Sequence, residues 1–277
     1  MNRLFDVGSE EKSGAESRRR RDCFYTNRSA AKRCMALLAE RCPAKWDLWI
    51  EPSAGAGAFF DLMPEPKIGL DIEPPPRPDI IQADFLEWTP PVEAGRIIVV
   101  GNPPFGKNAS LAVKFFNHAA SFADAVAMIH PRTFQKESTA RRLNRFFHLE
   151  AELLLPRDSF TLDGAPYAVP CVFQIWLKRP SARSMTPPPL THPDFRFAKP
   201  GEADFAIQRV GANAGRVKFN PRALSPTSHY FIAANAPGVA EVMRRIDWRE
   251  AAARTAGNPS LAKSEVVMLY SRHQRRN

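Results

Sequence analysis

From residue 24 onward, short apolar runs alternate with longer stretches whose apolar positions recur at helical spacing. Runs at 48–50, 68–71, 80–81, 97–100, 125–129, 152–155 and 172–177 are rich in Ile, Val and Leu and too short for buried helices, so each predicts a strand. Helices are predicted over 29–41, 110–123 and 138–147. Strands alternating with helices predict an α/β fold around a largely parallel sheet, because each crossover has to cover one of the sheet's faces. Seven such runs fit a doubly wound, Rossmann-like sheet with an added pair at its C-terminal edge.

The pattern changes at both ends. Residues 1–22 are polar and charged, with four arginines from Arg18 to Arg21, and predict a disordered tail. Residues 181–200 are rich in proline and threonine and predict a linker between a catalytic domain at 23–180 and a small module at 201–277. That module is expected to begin with strands and to carry a helix near 238–252. No apolar run is long enough for a bilayer and no signal-peptide stretch opens the chain, so a cytoplasmic protein without a membrane partner is expected. Cys23, Cys34, Cys42 and Cys171 show no CxxC spacing, so idle thiols are expected and no metal site.

Charge adds a partner. The net +10 of the chain is uneven: residues 23–180 hold 18 Lys/Arg against 17 Asp/Glu, and residues 181–277 hold 15 against 7. Basicity concentrated in one segment points to a polyanion, since Lys and Arg contacts to phosphates release counterions and supply sequence-independent affinity.

Two loops carry the candidate chemistry. Glu51-Pro52-Ser53-Ala54-Gly55-Ala56-Gly57 follows a strand directly, and its small residues let a ligand approach the backbone. No glycine stands three residues after Gly57, which counts against a dinucleotide pyrophosphate cradle. Asp71 ends the next strand, where a carboxylate can accept both ribose hydroxyls. Asp84-Phe85 ends the one after, where an acid and an aromatic can bond and stack an adenine. The ligand implied is a nucleoside without a phosphate chain. Phe59-Phe60 is expected to begin a helix.

The second loop, Gly101-Asn102-Pro103-Pro104-Phe105-Gly106-Lys107-Asn108, also matches GxxxxGK. A phosphate loop needs a hydroxyl where Asn108 stands and backbone N–H groups that two prolines remove. The prolines instead suit an amine. The lone pair of an aromatic NH2 is delocalised, and two acceptors, the Asn102 amide oxygen and a Pro103 carbonyl preset by the ring, can pull it toward tetrahedral geometry. Phe105 offers a face on which a base stacks, worth about 1–3 kcal/mol.

Together these residues resemble the class I S-adenosylmethionine-dependent methyltransferases with an Asn-Pro-Pro-Phe motif, in the motif order of the gamma-class N6-adenine DNA methyltransferases. The resemblance spans residues 23–180 and implies S-adenosyl-L-methionine as cofactor, with Asn102, Pro103, Pro104 and Phe105 catalytic. It places Tyr25 and Thr26 over the methionine moiety. It assigns Glu51, Pro52, Ser53, Ala54, Gly55 and Gly57 to the cofactor loop, Asp71 and Ile72 to the ribose side, and Asp84 and Phe85 to the adenine, with Asn102 shared. Arg132 and Phe134, in the loop after the fifth strand, would face the substrate with Phe105 and Lys107, as would Arg209 and Arg216 of the basic module. Ser159-Phe160 and the stretch from Gly164 to Pro170 resemble the family's later loop near the target base. Glu51 departs from the Asp that many relatives carry, with the charge kept.

The expected activity is methylation of the adenine N6 in nucleic acid, DNA before RNA. RNA enzymes of the ribosomal and cap type share the tetrad. Protein N5-glutamine methylation uses the same amide logic, but usually with Tyr in place of Phe105, and the basic module has no use there. A module that binds nucleic acid without catalysis would leave the intact tetrad idle. Ser29 is an expected helix cap, and His118 and His130 are expected in packing or surface roles.

Overall fold

The apolar runs at 97–100 and 125–129 become strands buried on both faces, as the middle of a parallel sheet requires. A computed structural model describes residues 24–92, 94–162, 164–255 and 257–275, so the expected tail at 1–22 and Cys23 lie outside the described residues. The described chain divides into two units, one of residues 24–131 with 139–184, the other of 132–138 with 185–275.

The first unit runs β1 (Tyr25–Thr26), α1 (Arg28–Arg41), β2 (Leu48–Glu51), β3 (Lys67–Asp71), β4 (Ile80–Gln82), β5 (Ile97–Gly101), α2 (Ser110–Phe122) and β6 (Ala125–Pro131). After the helical turn α3 (Glu137–Ala140) come β7 (Phe147–Leu154), β8 (Phe160–Leu162), β9 (Ala165–Tyr167) and β10 (Cys171–Lys178). Its seven-stranded sheet has the order β4-β3-β2-β5-β6-β10-β7. The first five strands are parallel, and β10 lies antiparallel to both β6 and β7. This is the Rossmann-like α/β sheet expected. Its strands β5 and β6 are buried at every residue. From β2 the order runs one way to β3 and β4 and the other way to β5 and β6, so the carboxyl ends of β2 and β5 border the crevice where such sheets bind ligands.

Helix α1 buries Ala30, Ala31, Cys34 and Leu38 on one side. Its cap is Asn27, whose Oδ1 accepts the Ala30 N–H at 2.8 Å, and not the expected Ser29. Helix α2 buries Ala112, Val113, Phe115, Phe116, Ala119 and Ala120.

Four sequence expectations change. Between β2 and β3 only a single helical turn, Phe60–Leu62, forms, because Pro64 and Pro66 remove the N–H groups a longer helix needs. The helix expected over 138–147 stops at Ala140. Asn144 accepts the Phe146 N–H while Asn117 accepts that of Asn144, and Phe147 is drawn into β7 opposite Lys178. The added C-terminal pair is not appended in order, since β10 inserts between β6 and β7. A separate sheet, β1-β8-β9, was not expected at all.

The second unit has a four-stranded sheet, β11-β14-β12-β13, from β11 (Phe195–Ala198), β12 (Phe205–Gln208), β13 (Val217–Lys218) and β14 (His229–Ala234). Its helices are α4 (Val239–Arg245), α5 (Arg249–Ala252) and α6 (Lys263–Gln274), around a core that includes Phe195, Phe205, Ile232, Met243, Trp248 and Tyr270. Strand β11 falls inside the stretch expected as linker, and the single helix expected near 238–252 is two, broken between Ile246 and Trp248. Among the described residues no helix is long and apolar enough to cross a membrane.

Candidate active site

The glycine loop and the Asn-Pro-Pro-Phe loop leave neighbouring parallel strands, β2 and β5, at the same edge. They are tied directly: the Ser53 hydroxyl donates to the Asn102 carbonyl at 3.1 Å. Glu51 comes just as close, for a Cβ on Gly101 would stand 3.2 Å from its Cγ. The loop's far side is anchored by the Ala54 N–H to the Leu70 carbonyl, at 2.8 Å, and by Ala54 packing on Phe60 and Ile80.

Asp71 reaches the loop from β3. Its Oδ2 accepts the Gly55 N–H at 2.7 Å and its Oδ1 the Glu73 N–H at 3.0 Å, which fixes the carboxylate and leaves lone pairs on both oxygens. Gly55 has φ +50°, and a Cβ there would stand 3.0 Å from the Tyr25 ring, so a side chain would both strain the turn and displace Tyr25. Tyr25 itself is half exposed over this loop. Pro52 and Pro103 are buried, Pro104 half-buried. Ile72, beside Asp71, exposes 61% of its surface.

Three buried oxygens at this edge have no hydrogen-bond partner among the described residues: Thr26 Oγ1, Glu51 Oε2 and Asn102 Oδ1. Polar atoms are seldom left so, because an unpaired buried group costs about 1–3 kcal/mol. Glu51 is 2% exposed, and burial, reinforced by Asp71 and Asp61, pushes its carboxyl well above the usual carboxylate range, although the Phe60 N–H and Arg77 favour the anion. A carboxyl so placed resists ionisation and becomes a carboxylate only where a cation stands beside it.

The aromatic expectations change. Phe85 is 1% exposed, stacked on Phe115 at 5.3 Å with His118 edge-on at 4.9 Å, so its ring is core and has no free face for an adenine. Asp84 accepts the Leu86 N–H at 2.9 Å, which shapes the turn. Phe105 is 7% exposed, meets Phe24 edge-on at 5.2 Å, and offers a base a much narrower surface than its place in the motif predicts. Phe24 also meets Phe160 and Tyr167, at 4.8 and 5.7 Å. The small sheet β1-β8-β9 thus gathers aromatics around Phe24, which in turn meets Phe105.

Lys107 is exposed. His118 and His130 pack as expected: His118 bonds the Trp88 carbonyl at 2.8 Å, and burial pushes the fully enclosed His130 down to about 3. Arg132, Phe134, Arg209 and Arg216 belong to the second unit. There Phe134 is 1% exposed and not a surface ring, and Arg132 donates to Gln135 at 3.2 Å. Arg209 lies over the Tyr230 ring at 5.2 Å, and Arg216 is exposed. The sequence missed Arg77, which binds Asp61 and Asp79 beside Gly57. No motif marks it.

No family model and no curated protein matches the chain. Among solved structures it is similar to TrmN from Thermus thermophilus (18% identity, TM-score 0.35), with 52% of this chain and 48% of that one covered. It is similar also to the type I restriction-modification system methyltransferase subunit from Streptococcus thermophilus (16% identity, TM-score 0.42), over 57% of this chain and 45% of that one. A Pyrococcus horikoshii protein provisionally assigned as an RNA methyltransferase gives 17% identity and a TM-score of 0.43, over 54% of this chain and 83% of that one. The chain thus spans about half the length of the first two. Likenesses this distant leave function to the site's own chemistry.

Proposed function

We propose that this protein transfers a methyl group from S-adenosylmethionine to the N6 amino group of adenine in nucleic acid, DNA being the preferred polymer. The observation that carries the reading is Asn102 Oδ1, buried without a partner among the described residues at the end of β5, where the sheet order reverses. An acceptor held there is matched by a ligand that brings an N–H donor, and an exocyclic amine brings two.

The residues fit the cofactor. Glu51 Oε2 would hold a cationic group, the methionine ammonium being the nearest in kind, and Thr26 Oγ1 would add a hydrogen bond. Asp71, already oriented by two backbone N–H groups, keeps the lone pairs to accept ribose hydroxyls. Ile72 supplies an exposed apolar contact for the adenine in place of Phe85. When bound, S-adenosylmethionine supplies a methyl group on a cationic sulfonium whose leaving thioether needs no acid.

The chain's part is orientation and charge. Asn102 Oδ1 and the Pro103 carbonyl accept from the target NH2, free its lone pair from the ring and stabilise the positive charge on that nitrogen as the N–C bond forms, until its surplus proton passes to water. Ser53 steadies Asn102 through its carbonyl. The aromatics Phe24, Phe105 and Tyr167 keep water from the amine. In a duplex the adenine must first leave the stack. The second unit, basic and separately cored, is read as the module that holds the polymer.

Labelled cofactor is incubated with DNA and with RNA, and the digested nucleosides are separated. N6-methyldeoxyadenosine is expected, and it disappears in Asn102→Ala while cofactor binding by calorimetry stays. Absence of N6-methylated nucleoside from every polymer tested defeats the reading.

A further inference from the structure

The second unit has an open recess between the turn before β13 and the junction of α4 with α5. Arg216, Arg244, Arg245 and Arg249 line it with one carboxylate, Asp247. That carboxylate is taken: Arg249 donates to its two oxygens at 2.9 and 2.7 Å. The nearby Glu250 is held by Arg254 at 2.7 Å. Arg216, Arg244 and Arg245 are exposed and have no ion pair among the described residues. Three guanidinium groups therefore converge on one surface with no anion among the described residues to neutralise them.

The floor of the recess is fixed. Trp248, 5% exposed, packs against Gly215, and its indole donates to the Met243 carbonyl at 2.9 Å. The Gly215 N–H donates to the Gln208 carbonyl at 2.7 Å, and φ at Gly215 is +99°, which a larger residue would strain. The turn that presents Asn213 and Arg216 is thereby locked to the helix junction that presents Arg244 and Arg245. Like charges held together by packing are a surface waiting for an anion, and the planar guanidinium fork matches phosphate oxygens two at a time.

We propose that this recess binds adjacent phosphates of the nucleic-acid backbone, a proposal that rests on the polymer reading above. An open recess suits a chain that passes across it. Arg244 and Arg245, which no motif marked, join Arg216 in holding the phosphates, while Arg249 is held by Asp247 and Arg209 on Tyr230, and neither is among them.

The test is fluorescence anisotropy of the full chain with a labelled DNA duplex, its single strand and an RNA of the same sequence, from about 50 to about 200 mM salt. In the Arg244→Ala/Arg245→Ala variant, affinity for whichever probe binds falls about tenfold, and the log–log salt slope shrinks by about 2, one for each phosphate no longer neutralised. An equal reduction of charge on α6 and just past its end, Arg272→Ala/Arg275→Ala, leaves that slope near the wild-type value. The pair Arg244→Lys/Arg245→Lys keeps the slope but binds a few-fold more weakly without the fork, and it carries the test should the alanine pair fold poorly. Equal weakening in the α6 variant, or wild-type affinity in both recess pairs, overturns the proposal. So does binding of inorganic pyrophosphate that the alanine pair abolishes while polymer affinity stays, which makes the recess a small-anion site. Failure of the methyltransferase reading shows elsewhere, as absence of methylated nucleoside with the wild-type protein.

Discussion

In the first unit the polar atoms that matter are hidden: Glu51 is 2% exposed, and Asn102 Oδ1 is buried without a partner among the described residues. In the second, the groups that matter stand in solvent, as Arg216, Arg244 and Arg245 do. The composition says the same, with 18 basic against 17 acidic residues in 23–180 and 15 against 7 in 181–277. Hidden polar groups are suited to small ligands that shed their water, where one hydrogen bond changes a rate. Exposed cations are suited to a polymer, because counterion release needs charge density and tolerates movement. The difference teaches a division of labour: chemistry where charge is balanced and enclosed, grip where it is excessive and open.

Four substitutions or conditions probe that division. The largest effect is expected from Phe85→Ala, which empties a fully packed site beneath the first unit's sheet edge and costs about 3–5 kcal/mol in denaturant unfolding. A cost below about 1 kcal/mol means the ring is not core, and the adenine-stacking role returns. Next, Asn102→Ala lowers the transfer rate at least about 100–1000-fold in single-turnover assays. Polymer affinity stays unchanged, and its loss as well would break the comparison.

Glu51→Gln comes third. It removes a buried carboxyl whose folded form resists ionisation, so cofactor affinity in calorimetry falls about 10–100-fold. A proton affinity raised by folding contributes stability that is full below about pH 4.3 and fades as the pH rises, so the cofactor-free variant melts higher than the wild type at pH 8. A lower melting temperature there means the carboxylate is already satisfied within the chain.

The smallest effect belongs to His130. Burial holds its folded value at about 3, while the unfolded chain takes up its proton near pH 6.5. Stability is therefore full above about 6.5 and falls as the pH drops toward 3, by at most about 1.4 kcal/mol per pH unit. His130→Asn is expected to flatten that slope in melts at pH 7 and pH 5. An identical slope assigns the acid sensitivity to other groups.

The runs that became β5 and β6 could be read from the chain because strands buried on both faces are apolar almost throughout, and nothing distant has to be known to see it. Strand β7 is longer than its apolar run, since beyond the buried Phe147 its residues are half-buried or exposed and only pairing with β10 extends it back to Phe147. The sheet β1-β8-β9 escaped notice because it joins Tyr25 to Thr161 across more of the chain than any local pattern covers.

By itself, the sequence determined the two loops, their place after strands, and the charge of the C-terminal segment, because these depend on residue type and short spacing. Only the tertiary structure decided what each candidate faces. It sent Phe85 and Phe134 into cores, narrowed Phe105, brought Ser53 to Asn102, and left Glu51 Oε2 and Asn102 Oδ1 without partners among the described residues. It also gathered Arg216 with Arg244 and Arg245. The physical reason is the same in each case. Burial and pairing are properties of the whole packed chain, and a residue's type sets what it can bond, not what is there to be bonded.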